Sequence, residues 1–268
     1  MERKFHLATV RPTIDTLPNV AISHAKDVIF DWFPFEIPKG AAKLTDITVT
    51  YPGTNGATSA GKDITLVFAR SIDGVAPTSL GSSNDALTVI KTAAVRNNII
   101  GYHELDADNL HDVGDILIGY NLWGHSGRTG NDRNDVEVVL QGDPAYSSTQ
   151  GFQTIFVAGI AAEAGHDFGT GVLLDGAILT GAAGAQTLDV SEDNDADDIF
   201  CVGDELLAAA SDGSSVQKIG TITALTADTI TVDAKDINGT TVWASGALAD
   251  DDEICFRRPL TFNFGLEY

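Results

Sequence analysis

Basic residues are scarce. The 268-residue chain holds 16 Lys and Arg against 38 Asp and Glu, a formal net charge of −22 with a pI near 4.3. Phosphate recognition needs clustered Lys and Arg, so this balance argues against nucleic acid as a partner and against anionic membrane surfaces. Long apolar runs are missing as well. No stretch approaches the roughly 18 apolar residues of a membrane-spanning helix. The N-terminal MERKFHLATVRP carries bases but no apolar core segment, so no secretory leader is expected. There are two cysteines, Cys201 in DDIFCVGD and Cys255 in DDEICFRR. Each follows an acidic run and sits in a short apolar segment. In a chain with no export signal the expectation is two buried thiols without a disulfide.

The parts of a reaction centre are missing too. No GxSxG elbow is present, and neither cysteine has a nearby histidine to activate it. The histidines His6, His24, His103, His111, His125 and His166 share no spacing that makes a metal pair. Carboxylates abound, but a glycosidase also needs an aromatic-lined cleft, and Trp32, Trp123 and Trp243 are scattered. GATSAGKD, with Lys62 and Asp63 at its end, approaches a phosphate-cradling loop. It puts Asp63 where the Mg²⁺-binding hydroxyl belongs, and the strand-like ITLVFARS follows instead of a helix. SEDNDADD sets Asp193, Asp195 and Asp197 at calcium-loop spacing. Asp198 replaces the obligatory Gly, Asp204 replaces the closing Glu, and no helices flank it. A solvated acidic loop is the favoured reading; a looser Ca²⁺ site, helped by Asp250, Asp251, Asp252 and Glu253, is the alternative. No catalytic, cofactor-binding or metal residue is therefore expected, and no enzyme activity.

What the chain does have is strand and turn. KLTDITVTY alternates Ile47, Val49 and Tyr51 against Thr48 and Thr50. DVEVVLQG alternates Val136, Val138 and Leu140 against Glu137, Val139 and Gln141. Period-two segments separated by Gly, Asp, Asn and Ser predict an all-β fold. NDALTVIKTAAVRN is the exception, read as a short helix capped by Asn84 or Asp85 with Leu87, Ile90 and Ala94 on one face. Apolar residues make up 43% of the chain, enough for a packed core.

Charge divides the chain. From residue 165 onward there are 19 acids and 4 bases; before it, 19 acids and 12 bases. The shift falls at the glycine-rich EAGHDFGTG. Two domains are expected: a jelly-roll-like antiparallel β-sandwich over 1–162, and an acidic small β-barrel over 163–268. In the second, Ile222 and Ala224, then Ile230 and Val232, fit one inward face, and Leu225 to Asp228 makes a tight turn. The closing LTFNFGLEY alternates Leu260, Phe262 and Phe264 against Thr261, Asn263 and Gly265, a strand tied into a sheet.

Several stretches carry a resemblance. GAAKLTDITVTYPG, KDITLVFARSIDG, DALTVIKTAAVRNNIIGYHELDADNLHDVGD and DVEVVLQGDPAYSSTQGFQTIFVAGIA together resemble virion structural proteins of tailed bacteriophages. The shared pattern is a strand pair, a small-residue loop, an aspartate-rich connection and a closing strand after an Ala-Tyr-Ser-Ser turn. VGDELLAAASDGSSVQKIGTITALTADTITVDA looks like the small β modules of phage head and tail proteins. The resemblance implies a decoration or cement protein, made in the host cytoplasm and carried on the capsid exterior. Its implied partners are the major capsid protein and further copies of itself, as a homotrimer. The alternatives are a phage tail, neck or head-fibre component, and a carbohydrate-binding β-sandwich module. The sandwich is expected to be the capsid-anchoring domain.

Overall fold

The last strand of the chain lies beside the first. In the computed structural model, β1 (Phe5–Val10), β16 (Thr261–Glu267), β3 (Ala41–Pro52), β7 (Leu117–Trp123) and β6 (Leu110–Asp112) form an antiparallel sheet in that order, and β8 (Val139–Gln141) also pairs with β3. The structure describes residues 3–14, 22–52, 62–107, 110–112, 117–123, 138–146, 150–166, 168, 171–177, 184–191, 195–210, 215–242 and 248–268. A second antiparallel sheet runs β2 (Val28–Pro38), β9 (Phe152–Ala161), β4 (Ile64–Ala69), β5 (Ile99–Leu105).

The two sheets face each other across a shared apolar core, as an antiparallel sandwich must. Phe30, Phe35 and Ile37 of β2, Ile47 and Val49 of β3, Leu66 and Phe68 of β4, and Phe262, Phe264 and Leu266 of β16 are all buried there. Phe264 packs at 5.1 Å from Phe35 and 5.7 Å from Phe68, ring centre to ring centre. Fully burying each such side chain contributes about 1.5–3 kcal/mol. The period-two patterns of β3 and β16 emerge as written: Ile47 and Val49 point inward while Thr48 and Thr50 are half-buried, and Leu260, Phe262 and Phe264 alternate with Thr261, Asn263 and Gly265.

Strand β9 is buried along nearly its whole length, which an ordinary sandwich strand with one solvated face would not be. The reason is a third layer. Val28 and Ala158 on the outer face of the second sheet are covered by Leu80 and Val95, with Trp32, Leu87, Val89 and Ile90 packed around them. This covering segment contains α1 (Ala93–Arg96), a single turn with Thr92 at its N-cap position. The helix expected from Asn84 or Asp85 is therefore shorter and starts later. Asp85 instead accepts from the Ser82 amide at 2.8 Å, and its own carbonyl accepts from Val28. Its side chain closes a turn, which competes with helix initiation.

Between β9 and β16 the chain builds a second unit. β10 (Gly171–Leu173), β15 (Glu253–Phe256), β12 (Glu205–Ala209), β13 (Gln217–Leu225), β14 (Thr229–Asp233) and β11 (Ala185–Asp189) pair in that order, all antiparallel. The two ends of this sheet meet through a bridge between Leu174 and Val190, with Ser191 donating to Leu173 at 2.9 Å. A small barrel results, filled by Leu188, Leu206, Ile219, Ile222, Ile230, Val232 and Ile254. One expected inward residue points out: Ala224 is exposed, because a register shift between Ile222 and Ala224 breaks the period. The same kind of shift interrupts β12 at Leu206 and Leu207.

The expected division into 1–162 and 163–268 places the closing strand with the barrel. The sheet pairing corrects this. β16 hydrogen-bonds to β1 on one side and β3 on the other, with Phe262 opposite both Val10 and Val49. The barrel is thus inserted into the sandwich rather than following it. Its return crossing is held at Arg257 and Arg258, which both pair with Glu205 of β12.

Candidate functional site

Strand β1 ends its sheet. On one side it pairs with β16 from Phe5 to Val10; among the described residues no strand pairs with its other edge. Ala8 and Val10 point into the core, so alternation turns Phe5, Leu7 and Thr9 outward. Phe5 is 69% exposed and Leu7 64%. Large apolar side chains on an open edge are what natural sheets generally avoid. Arg3 and Lys4 directly precede them, in a chain with 38 acids against 16 bases. Arg3 meets Glu267 at 3.2 Å, and the Lys4 and Tyr268 backbones exchange hydrogen bonds that extend the β1–β16 ladder. A cleft of about 590 Å³ opens beside this corner, lined by Arg3, Ala41, Ala42, Lys43, Val139, Glu267 and Tyr268. Val139 and Tyr268 are both exposed and add apolar surface to the cleft, with Glu267 and Lys43 between Val139 and Phe5 in the strand register.

A second cleft, about 410 Å³, lies where β2 meets the covering segment. Thr13, Asp31, Trp32, Phe33, Ser79, Gly81, Ser82, Ser83 and Asp85 line it. Asp31 Oδ1 accepts from the Leu80 amide at 2.8 Å, and the Trp32 indole donates to the Thr78 carbonyl at 2.9 Å. These bonds fix the loop 78–85 against the strand.

At the junction of barrel and sandwich, Glu205 is buried with two arginines. Its Oε1 lies 3.4 Å from Arg257 Nη1 and accepts from the Ile237 amide at 2.6 Å, and its Oε2 pairs with Arg258. Nearby, Arg11 pairs with Asp204 at 3.1 Å, and Asp204 also accepts from the Cys201 amide. The Arg257 carbonyl accepts from Ile14. This cluster ties the barrel to the sandwich: its ion pairs join β12 and the turn before it to the segments at Arg11 and Arg257–Arg258, and the Glu205 carboxylate is closed off from solvent.

The residues weighed in the sequence fall apart in space. Lys62 and Asp63 precede a strand, β4, and not a helix; Asp63 Oδ1 accepts from the Ala107 amide at 2.7 Å, and Lys62 lies 3.8 Å from Glu163. Of the acidic loop, Asp193 lies outside the described residues. Asp195 precedes α2 (Ala196–Ile199), and Asp197 and Asp198 fall in its first turn, where negative charge suits the helix N-terminus. At the other acidic run, Asp252 accepts from the Ala249 amide, an ordinary turn closure, and Asp250 accepts from the Gly176 amide, which ties this turn to the segment after β10. Among the described residues no three His, Cys, Asp or Glu side chains gather as metal ligands would.

Cys255 is buried in β15, as expected, but Cys201 is exposed and lies outside any strand. The inward position there belongs to Phe200, which packs at 4.7 Å from Phe256. Neither cysteine is in a disulfide. His24 approaches Asp27 at 3.4 Å, and His6 packs against the Phe152 ring. Burial holds His103 and His166 below the usual imidazole range, His166 at about 4. His125 lies outside the described residues.

The surface at Phe5 and Leu7 was not among the sequence's candidates. MERKFHLATVRP does contain the signal: Phe5, Leu7 and Thr9 alternate with His6, Ala8 and Val10, and both sets contain apolar residues. Only the pairing partner tells which set faces out.

No family model matches the chain, and no curated protein matches it.

Proposed function

We propose that this chain is a non-enzymatic structural protein of a tailed-phage virion, decorating the outside of the head and clamping neighbouring shell subunits. The observation that carries the reading is the open edge of β1, with Phe5 and Leu7 exposed and Arg3 and Lys4 beside them. An edge strand offers main-chain donors and acceptors to a partner strand, and alternate side chains give the contact its specificity. The bases complement an acidic partner surface, either on the major capsid protein or on the barrel of a second copy in a homotrimer. The strong net negative charge keeps free copies apart in the host cytoplasm until that edge is engaged. The sandwich is then the anchoring unit and the acidic barrel the outward one.

The test is the copy number and radial position of the protein in purified virions of the phage that encodes it. Many copies on the outer head surface, lost on Leu7→Asp substitution with the fold intact, support the reading. A few copies at the tail or neck replace it with the tail-component alternative. Absence from particles overturns both.

A further inference from the structure

The cleft between β2 and the loop 78–85 plays no part in that surface. Its lining has a particular chemistry: one indole, two carboxylates and four hydroxyl side chains, and no base among the described residues. Its volume of about 410 Å³ falls within the roughly 300–1,000 Å³ of small-molecule sites. We propose that it binds a neutral saccharide, one or two sugar units in length.

Three features support this class of ligand. A sugar ring presents an apolar C–H face and a rim of hydroxyls. Trp32 supplies an aromatic surface, and a tryptophan offers a large apolar body at low cost in side-chain entropy. Asp31 and Asp85 each commit one oxygen to a loop amide, Asp31 Oδ1 to Leu80 and Asp85 Oδ2 to Ser82, both at 2.8 Å. Their other oxygens remain to accept from hydroxyl donors, and ionised carboxylates are strong acceptors. Ser79 and Thr13 add groups that both donate and accept, which matches hydroxyls that do the same. The two carboxylates of the lining disfavour phosphorylated or acidic sugars.

The site is also preorganised. The Trp32 indole is tethered to Thr78 at 2.9 Å, the Gly81 amide donates to Ser79 Oγ at 3.2 Å, and Asp85 closes its own turn through Ser82. A ligand therefore meets a lining already in place and orders little on binding. Gly81 holds a backbone φ of +123°, and a Cβ there would stand 3.2 Å from the Asp85 carboxylate. Glycine at this position keeps that carboxylate uncrowded. The inference is independent of the virion assignment, since it needs only the cleft.

The test uses the intact protein and methyl glycosides of glucose, galactose, mannose and N-acetylglucosamine, with maltotriose and cellotriose. Binding is read by saturation-transfer NMR and calorimetry up to about 10 mM sugar, the range in which weak single-site recognition falls. The expected result is saturable binding of at least one sugar, weakened about tenfold or more by Asp31→Asn, as loss of one charged acceptor predicts. Trp32→Ala should abolish it. Trp32→Phe, which keeps an aromatic surface, should retain part of it and controls for folding. No saturable binding to any of the six sugars overturns the proposal. So does binding that survives both Asp31→Asn and Trp32→Ala. A rise in melting temperature with Ca²⁺ alone, lost in Asp31→Asn, would make the cleft a cation site and overturn the saccharide assignment too.

Discussion

Glu205 Oε1 lies 3.4 Å from Arg257 Nη1, and the Arg257 backbone amide donates in turn to the Glu205 carbonyl at 2.8 Å. One residue of β12 thus grips the chain twice where it leaves the barrel, and Arg258 closes on the second carboxylate oxygen. The carboxylate side chain is 1% exposed. Removing it would take away the carboxylate that two largely buried guanidinium groups and the Ile237 amide face. Loss of one partner from a buried charge cluster costs about 3–5 kcal/mol, far more than an exposed pair contributes. Glu205→Ala should lower stability by that amount in urea unfolding. Glu267→Ala, which breaks the exposed pair with Arg3, should cost less than about 1 kcal/mol. Equal small effects for both would show that the junction is not held by this cluster.

The insertion topology makes a sharp statement about truncation. Ending the chain after residue 165 removes β16, the strand between β1 and β3, together with buried Phe262, Phe264 and Leu266. The fragment should be insoluble or molten, with no cooperative unfolding transition. Excising 171–256 and joining the ends by a Gly-Ser linker should instead leave a cooperatively folding sandwich. A soluble, cooperatively folded 1–165 fragment would contradict the strand order.

Much of this was visible in the sequence. The alternation of Ile47 and Val49, and of Phe262 and Phe264, fixes which faces are inward, because strand periodicity is local. What the sequence did not disclose is long-range. Nothing in LTFNFGLEY says that its partners lie at Phe5–Val10 and Ala41–Pro52; its position after an acidic stretch made the barrel look like its home. Ala224 was misplaced because a bulge is a defect of register and leaves the local pattern unchanged. Cys201 was misplaced because α2, one turn long, shifts the phase so that Phe200 takes the buried position. Asp31, Trp32 and Asp85 stand 54 residues apart at the extremes, and only the third layer over the second sheet brings them to one cleft.

The thiols give a simple reading of that shift in phase. Cys201 is exposed and Cys255 is buried within β15. Thiol-labelling reagent should modify one cysteine per chain in the native protein and two after denaturation without reductant. Cys201→Ser should abolish the native reaction and change stability little, since exposed substitutions away from special features usually stay within about 0.5 kcal/mol. No labelling of the denatured, unreduced protein would mean a disulfide. Two fast native thiols would mean that β15 opens.

His166 sets a pH dependence of stability. It is 3% exposed, its ring stacks on Phe168, its Nε2 has no hydrogen-bond partner among the described residues, and burial lowers it from 6.5 to about 4. The Asp63 backbone and the Glu163 charge pull the other way but lose to desolvation. The folded imidazole therefore stays neutral where the unfolded one already binds a proton. Stability is full above about 6.5 and falls as pH drops toward 4, because the unfolded state takes up more protons in that window. The loss integrates to roughly 3 kcal/mol by pH 4, at about 1.4 kcal/mol for each pH unit. Carboxylates contribute below pH 5, so the clean interval is pH 5 to 7, and the clean measurement is a difference. His166→Phe keeps the packing against Phe168 and cannot titrate. Its unfolding free energy should change less with pH over that interval than the parent's, by roughly 1–2 kcal/mol. Parallel curves for the two proteins would mean that His166 is accessible to protons in the folded state and that its burial is not what the packing shows.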